Sequence, residues 1–304
     1  MPPSDPAPQI ATLSDALRRA VQSLRDAGLD DPAAEARWLI AAAARIAPVE
    51  LVVAANRPLD PGLAARVEDF IQRRSAREPL SRILGQREFY GRDFLLSEGT
   101  LDPRPDTETL IDLALEICAA LPPRDRPLDI LDIGTGTGAI LLTLLAELKT
   151  ARGIGIDISE DALNTARANA ARLGLEEQAS FAFCDLRAGV DTLGPRRFDL
   201  IVSNPPYIAS EEIPQLQPEV RLHDPVAALD GGVDGLDFYR LLAGTIAALA
   251  PAGWLAFEVG AGQAKDVTAL LTEAAPGAIV RLRMDLAGHT RVVAVQPRSW
   301  TIRE

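Results

Sequence analysis

The stretch from Leu128 to Leu148 constrains this chain most. An aliphatic run, Leu128 to Ile133, leads into Asp132-Ile133-Gly134-Thr135-Gly136-Thr137-Gly138 and leaves through an apolar helix predicted over Ala139 to Leu148. Glycines at such a junction let the backbone turn tightly and let a ligand lie against the main chain where a side chain would intrude. Further aliphatic or β-branched runs follow at Ile154 to Ile158, Phe181 to Phe183, Leu200 to Val202, Leu255 to Val259 and Val292 to Val295, with helical patterns between them. Strand and helix in alternation predict an α/β fold, a mainly parallel sheet covered on both faces. Ligands of such sheets sit at the carboxyl ends of the strands, so the residues that close each run are the candidate site.

A plain strand-to-helix turn is the bland alternative for a lone Gly-x-Gly, and the next strand ends weigh against it. Asp157 lies 23 residues after Gly134, where a carboxylate can accept both hydroxyls of a ribose. A dinucleotide fold favours Gly-x-Gly-x-x-Gly/Ala and sets a pyrophosphate on the helix N-terminus. Here the spacing is Gly-x-Gly-x-Gly, and Asp132 stands just before it. That charge repels a pyrophosphate and suits a cofactor with a cationic amino or sulfonium group, such as S-adenosylmethionine. Gly134, Thr135, Gly136, Thr137 and Gly138 are then expected to cradle it. Asp185, ending the third run, is placed to hydrogen-bond adenine, with Leu186 packing on the ring.

The first quarter of the chain has a different texture. From Leu13, apolar residues recur at Ala16, Leu17, Ala20, Val21 and Leu24, the spacing of an amphipathic helix. Thr12 can cap it, and Asp31-Pro32 and Asp60-Pro61 open two more helices with Asp as N-cap and Pro at the first helical position. These predict a small helical bundle over 1–78, a Gly-, Pro- and aromatic-rich linker or hairpin over 79–106, and a catalytic domain over 107–304. Pro2, Pro3, Pro6 and Pro8 leave the extreme N-terminus loose. At 304 residues with 47% apolar content, the chain can bury a core in both parts.

Composition excludes several classes. Two cysteines, Cys118 and Cys184, and two histidines, His223 and His289, indicate neither a disulfide framework nor a metal site. The start lacks the basic and apolar pattern of a signal peptide, and Leu241 to Phe257, broken by Pro251 and Gly253, reads as helix, turn and strand instead of a bilayer span. A cytoplasmic protein is expected, with no membrane partner. Residues 1–87 hold 12 Arg against 11 Asp and Glu, a balance of +1, which leaves −13 for 88–304. A nucleic-acid surface needs clustered positive charge, so no direct nucleic-acid partner is expected.

The reacting group is written after the fourth run, in Asn204-Pro205-Pro206-Tyr207. Neither proline has an N–H, so the loop offers carbonyl oxygens and the Asn204 amide without competing backbone donors at 205 and 206. That arrangement can accept both hydrogens of a planar NH2 group, with the face of Tyr207 beside it. In this the chain resembles amino-methyltransferases that modify an NH2 on an sp2 carbon, a group containing both adenine-N6 DNA enzymes and protein-glutamine N5 enzymes. Phe89-Tyr90-Gly91, Leu101 to Glu108, Leu229-Asp230-Gly231-Gly232, Gly235 to Arg240, Phe257-Glu258-Val259-Gly260 with Gln263, and Asp285 to Gly288 before Arg291 narrow it. With the N-terminal helices, they resemble the HemK/PrmC family of release-factor glutamine methyltransferases over almost the whole chain.

The resemblance implies a Rossmann-like class I methyltransferase domain with a mostly parallel seven-stranded sheet. It implies S-adenosylmethionine as cofactor, S-adenosylhomocysteine as product, and no metal. Asn204 and Pro205 are the expected catalytic pair, Asn204 also touching the cofactor, and Pro206, Tyr207 and Phe89 complete the substrate site. The substrate implied is the glutamine of the Gly-Gly-Gln loop in peptide-chain release factors, held by the N-terminal bundle. A ribosomal-protein glutamine enzyme is the near alternative, favoured less because of Arg104-Pro105-Asp106-Thr107-Glu108. A DNA adenine enzyme and a non-catalytic module are the distant ones, disfavoured by the acidic balance and by the intact loops. Three positions depart from the family pattern: Asp102 stands for a hydrophobic residue, His223-Asp224-Pro225 for aromatic-Glu-Pro, and Leu186 for an aromatic.

Overall fold

The computed structural model describes residues 12–190, 193–194, 196–245, 249–250 and 252–298. The proline-rich start predicted to be loose lies outside the described residues, as does Pro251. The chain divides into two units, Met1–Gly85 and Gln86–Glu304.

The first unit is helical. Helices α1 (Leu13–Asp26), α2 (Pro32–Ala44) and α3 (Pro61–Ser75) start where the caps predict, with Thr12, Asp31 and Asp60 each accepting a backbone N–H of the first turn. Their buried faces, including Ala16, Leu24, Leu39, Ile40, Leu63 and Val67, form one core. A fourth short helix, α4 (Leu80–Leu84), follows Pro79 and adds Ile83 to that core. The unit therefore extends to Gly85, beyond the boundary at 78 read from sequence. Pro79 signals loop to a sequence reader, yet its fixed φ also suits a helix start.

The second unit begins with a hairpin of β1 (Gln86–Phe89) and β2 (Arg92–Leu95), turned at Tyr90-Gly91 with φ of 51° and 72°. Phe89 and Phe94 meet edge to face at 6.2 Å and sit in the same core as α5 (Glu108–Ala119). The hairpin thus belongs to this unit, which starts at 86 and not at 107. Then come β3 (Asp129–Ile133), α6 (Ala139–Glu147), β4 (Arg152–Asp157), α7 (Glu160–Leu173), β5 (Ala179–Phe183) and β6 (Leu200–Ser203). After them run α8 (Pro218–His223), α9 (Asp237–Thr245), β7 (Trp254–Glu258), α10 (Ala264–Ala274), β8 (Ile279–Met284) and β9 (Thr290–Gln296).

The seven-stranded sheet has the order β5-β4-β3-β6-β7-β9-β8, parallel from β5 to β7, with β9 antiparallel to both neighbours. Side chains alternate between its faces. Ile130, Leu200, Val202 and Ala256 pack with α5 and α6, whereas Leu131, Ile133, Ile201 and Phe257 pack with α9 and α10. The class I methyltransferase architecture is therefore present. Six strands follow the apolar runs. The seventh, β8, was not among them because Ile-Val-Arg-Leu-Arg-Met alternates with arginine on a half-exposed edge.

Since the hairpin and sheet share one core that draws on no residue before 86, the fragment Gln86–Glu304 is expected to fold alone. Thermal unfolding of that fragment, followed by near-ultraviolet circular dichroism, should give one cooperative transition; a fragment without tertiary signal would contradict the division.

Candidate active site

The connections run outward from β3 to β4 and β5 on one side, and from β6 to β7 on the other. The strand order therefore reverses between β3 and β6, and the crevice outside their carboxyl ends is where an open α/β sheet receives a ligand. A cavity of about 340 Å³ lies there. Gly134, Thr135, Gly136, Thr137, Asp157, Asp185, Leu186, Asn204, Pro206 and Phe89, all read from sequence, line it. Gly138, Pro205 and Tyr207 do not. Gly138 is the N-cap of α6 at φ 79°, and Pro205 is buried. Phe89 reaches the wall while only 1% exposed, its ring committed to Phe94.

The glycine loop is held by its neighbour strand. Gly134 and Thr135 donate their N–H groups to the Ile156 carbonyl at 2.9 and 3.0 Å. Gly136 donates to Asp157 Oδ2 at 2.9 Å, and Ser159 donates to Oδ1 at 3.0 Å, so the Asp157 carboxylate is aimed before any ligand arrives. Burial holds its pKa above the usual carboxylate range. Gly134 and Gly136 adopt φ of 69° and 54°, and a Cβ on either would meet nothing within 4 Å. It would instead project into open space that a ligand needs.

Asp132 sits below the loop with no exposed surface. Thr135 Oγ1 donates to its Oδ2 at 2.7 Å, while Oδ1 is buried without a partner among the described residues. Burial pushes its pKa up to about 7. A buried carboxylate with one oxygen left unpaired is costly, and a cationic ligand in the adjoining cavity offsets the cost. The donor set thus fits a cationic, ribose-bearing cofactor such as S-adenosylmethionine. Asp185 is half-buried and accepts Arg187 N–H at 2.9 Å, leaving its other oxygen for a ligand. Leu186 is part of the core as well as the wall, so any contact with adenine is aliphatic. Among the described residues no group of three or more His, Cys, Asp or Glu could hold a metal ion, and no helix is long and apolar enough to cross a membrane.

The Asn204 loop is anchored from below and behind. Ser203 Oγ donates to the Ile133 carbonyl at 2.7 Å, tying the two strand ends together. Asn204 Nδ2 donates to Thr107 Oγ1 at 3.3 Å, and no described residue donates to its Oδ1. The Tyr207 carbonyl accepts Gln263 Nε2 at 2.8 Å, and Tyr207 OH donates to Glu258 Oε1 at 3.4 Å. Gly235, at φ 74°, lies so close that a Cβ would stand 2.4 Å from the Tyr207 carbonyl oxygen. Leu229 and Gly231 pair with Ile208 on the far side. Over the mouth, Arg104 binds Asp224 at 2.9 Å and Pro225 joins the cavity wall. Two of the departing positions thus have partners: Asp224 pairs with Arg104, and Asp102 faces Arg87 at 3.8 Å. Sequence reading gave no role to Thr107, Glu258 or Gln263. Their only signal was membership of motifs quoted for the resemblance.

Comparison with known proteins agrees in fold and in family. A PrmC N-terminal domain profile matches residues 15–85, and a methyltransferase domain profile matches 125–230. The release factor glutamine methyltransferase of Bradyrhizobium diazoefficiens is 47% identical over 286 residues, covering 94% of this chain and 95% of that one. That of Rhodospirillum rubrum is 45% identical, covering 98% and 89%. Among solved structures, the hMettl16 catalytic domain in complex with MAT2A 3'UTR hairpin 1 aligns with a TM-score of 0.56 over 81% of this chain and 84% of that one. At 14% identity it speaks for the fold alone.

Two fully buried carboxylates, Asp132 and Glu258, have pKa values pushed up to about 7 by burial. Their folded values exceed the unfolded ones, so the folded state holds extra protons between about pH 4 and 7. Stability from these groups is greatest below that window and is lost as pH rises through it. The melting temperature of the ligand-free protein should fall from pH 5 to 7.5 and then level, and Asp132→Asn should flatten the fall. A midpoint that rises over this range would contradict the assignment, because the carboxylates with lowered pKa are ionised throughout it.

Proposed function

The chain belongs to the release factor glutamine methyltransferase family, and on that premise we propose that it methylates the side-chain amide nitrogen (N5) of the Gly-Gly-Gln glutamine in peptide-chain release factors. Its cofactor is S-adenosylmethionine, and its place of work is the cytoplasm, where release factors act. The observation that carries the reading is the orientation of Asn204. Its Nδ2 is spent on Thr107, so Oδ1 is left as an acceptor at the edge of the cofactor cavity.

An amide nitrogen is a poor nucleophile because its lone pair is delocalised into the carbonyl. In this proposal Asn204 Oδ1 accepts one N–H of the substrate amide and the Pro205 carbonyl accepts the other. No described residue donates to either oxygen. Two fixed acceptors turn the nitrogen toward the cavity and add electron density to it, lowering the barrier through orientation and preorganised dipoles. Pro206 and Tyr207 keep the loop rigid, and burial holds the Tyr207 phenol neutral. Asp157 and Asp185 hold ribose and adenine, and Asp132, buried behind the glycine loop, favours the cationic end through its charge. Bound S-adenosylmethionine supplies a methyl group on a cationic sulfur whose leaving group is a neutral thioether; the methylated nitrogen, now strongly acidic, releases one proton to solvent, so the proposed transfer uses no metal ion and leaves S-adenosylhomocysteine. The N-terminal unit serves as the docking module for the release factor, a role supported by its family match over 15–85 and its near-neutral charge.

Asp157→Ala should weaken S-adenosylmethionine binding by roughly a hundredfold, since it removes charge-assisted hydrogen bonds worth on the order of 2–3 kcal/mol. Calorimetry showing parental affinity in a folded variant would remove Asp157 from the cofactor site.

Asn204→Ala should leave cofactor affinity within a few-fold and lower turnover on a release factor by about 100-fold or more, the usual scale for one preorganised group. Asn204→Asp keeps an oxygen acceptor and should retain more activity than Ala. Equal loss in both, with normal cofactor binding, would show that acceptance by Oδ1 does not account for the effect.

A further inference from the structure

The Asn204-Pro205-Pro206-Tyr207 segment has few soft torsions. Each proline holds φ at about −65°. A residue that precedes proline is confined to extended backbone, which restricts Asn204 and Pro205 as well. A segment this stiff turns as one piece, so the direction of its acceptor oxygens is set by whatever holds its two ends. Ser203 holds the first end through the Ile133 carbonyl at 2.7 Å. The second end is held by Gln263, a residue outside the lining of the cofactor cavity.

We infer that the Gln263 side-chain amide is the clasp that aims the acceptor oxygens of the Asn204 loop at the substrate amide. Gln263 is a positioning residue acting through that loop, so the inference rests on the reading of Asn204 Oδ1 and the Pro205 carbonyl as the acceptors. Gln263 Oε1 accepts the Gly260 N–H at 2.9 Å. Its Nε2 donates to the Tyr207 carbonyl at 2.8 Å and to the Gly235 carbonyl at 3.5 Å. A backbone N–H only donates and a carbonyl only accepts, so the amide has one orientation that satisfies all three partners. One side chain thereby joins the loop after β6, the glycine turn before α9 and the segment that leaves β7.

The space around the clasp is as restricted as its polarity. A Cβ on Gly235 would stand 2.6 Å from Gln263 Nε2, and a Cβ on Gly260 would stand 2.7 Å from Oε1 and 3.1 Å from Tyr207 Cδ2. The same two backbones therefore press on the Tyr207 end of the loop and on the amide that holds it. Gln263 also occupies the N-cap position of α10. Ser, Thr, Asp and Asn are preferred there because their side chains accept a first-turn N–H, and the Gln263 side chain makes no such bond. It gives nothing to its own helix and reaches 56 residues back to Tyr207 instead.

Without the clasp, the stiff segment is fixed at Ser203 and free to tilt at Tyr207. A misdirected acceptor loses orientation in the transition state, and such a loss falls on kcat while binding of either substrate is kept.

The test compares two variants of unchanged side-chain length, alongside Asn204→Ala, in the full chain. Gln263→Glu replaces the Nε2 donor by an oxygen facing two carbonyls, and Gln263→Met removes both hydrogen-bonding ends. Methylation of a release factor is assayed over a range of release-factor concentrations at saturating S-adenosylmethionine, with cofactor Kd measured by calorimetry. The expected result is a kcat about 10-fold or more lower in both Gln263 variants, with release-factor KM and cofactor Kd within a few-fold of parental. Parental kcat in either folded variant would overturn the clasp. So would a loss confined to release-factor KM, which would make Gln263 part of a docking surface, or a rise in cofactor Kd matching the fall in kcat, which would mark a general loosening of the domain. If one variant does not fold, the other decides, and Gln263→Ala replaces both if neither does. Unimpaired turnover in Asn204→Ala would sink the parent reading, whereas impaired Asn204→Ala beside parental Gln263→Met would sink the clasp alone.

Discussion

The parallel pairing of Ile133 with Ser203 brings the working parts of the site together. It sets the ends of β3 and β6 side by side, and the Ser203 hydroxyl locks them at 2.7 Å through the Ile133 carbonyl. Everything chemical hangs from those two ends. The glycine loop leaves one and the Asn204 loop leaves the other, although 70 residues separate them in sequence. Parallel strands require a crossover of a dozen or more residues, and three such crossovers lie between β3 and β6, the first two carrying Asp157 and Asp185 to the neighbouring strand ends. The sheet thus converts distant sequence into one row of carboxyl ends.

The second half of the domain holds that row still. Gln263 reaches the Tyr207 carbonyl, and Gly235 passes so close beneath it that no side chain fits. Tyr239 and Glu258 lock to each other, and Arg291 with Asp285 fixes the turn at Asp106. These residues contribute no reacting atoms in the proposed chemistry. In that proposal they set the angle at which two acceptor oxygens would meet a planar amide, and orientation is where such a reaction gains rate.

Residues whose chemistry is local were legible in the sequence. Helix caps at Thr12, Asp31 and Asp60, the glycine loop, Asp157 and the Asn204 loop each carry their signal within a few positions. Contacts closed by folding were not. Thr107 meets Asn204 across 97 residues and Tyr207 meets Glu258 across 51, and no periodicity encodes either. The edge strand β8 was hidden because one face of it is half-exposed and bears arginines. The boundary at Gly85 was hidden because Pro79 can end a loop or start a helix, and burial of Ile83 decides between them.

The central claim is a methyl group placed on the amide nitrogen of one glutamine. The direct measurement is to incubate the protein with isotopically labelled S-adenosylmethionine and, in parallel, a release factor, ribosomal proteins and duplex DNA, then locate the label by tandem mass spectrometry. The account predicts label on the release factor alone, at N5 of the Gly-Gly-Gln glutamine. Label on a ribosomal protein or on adenine, with the release factor unmodified, would contradict it.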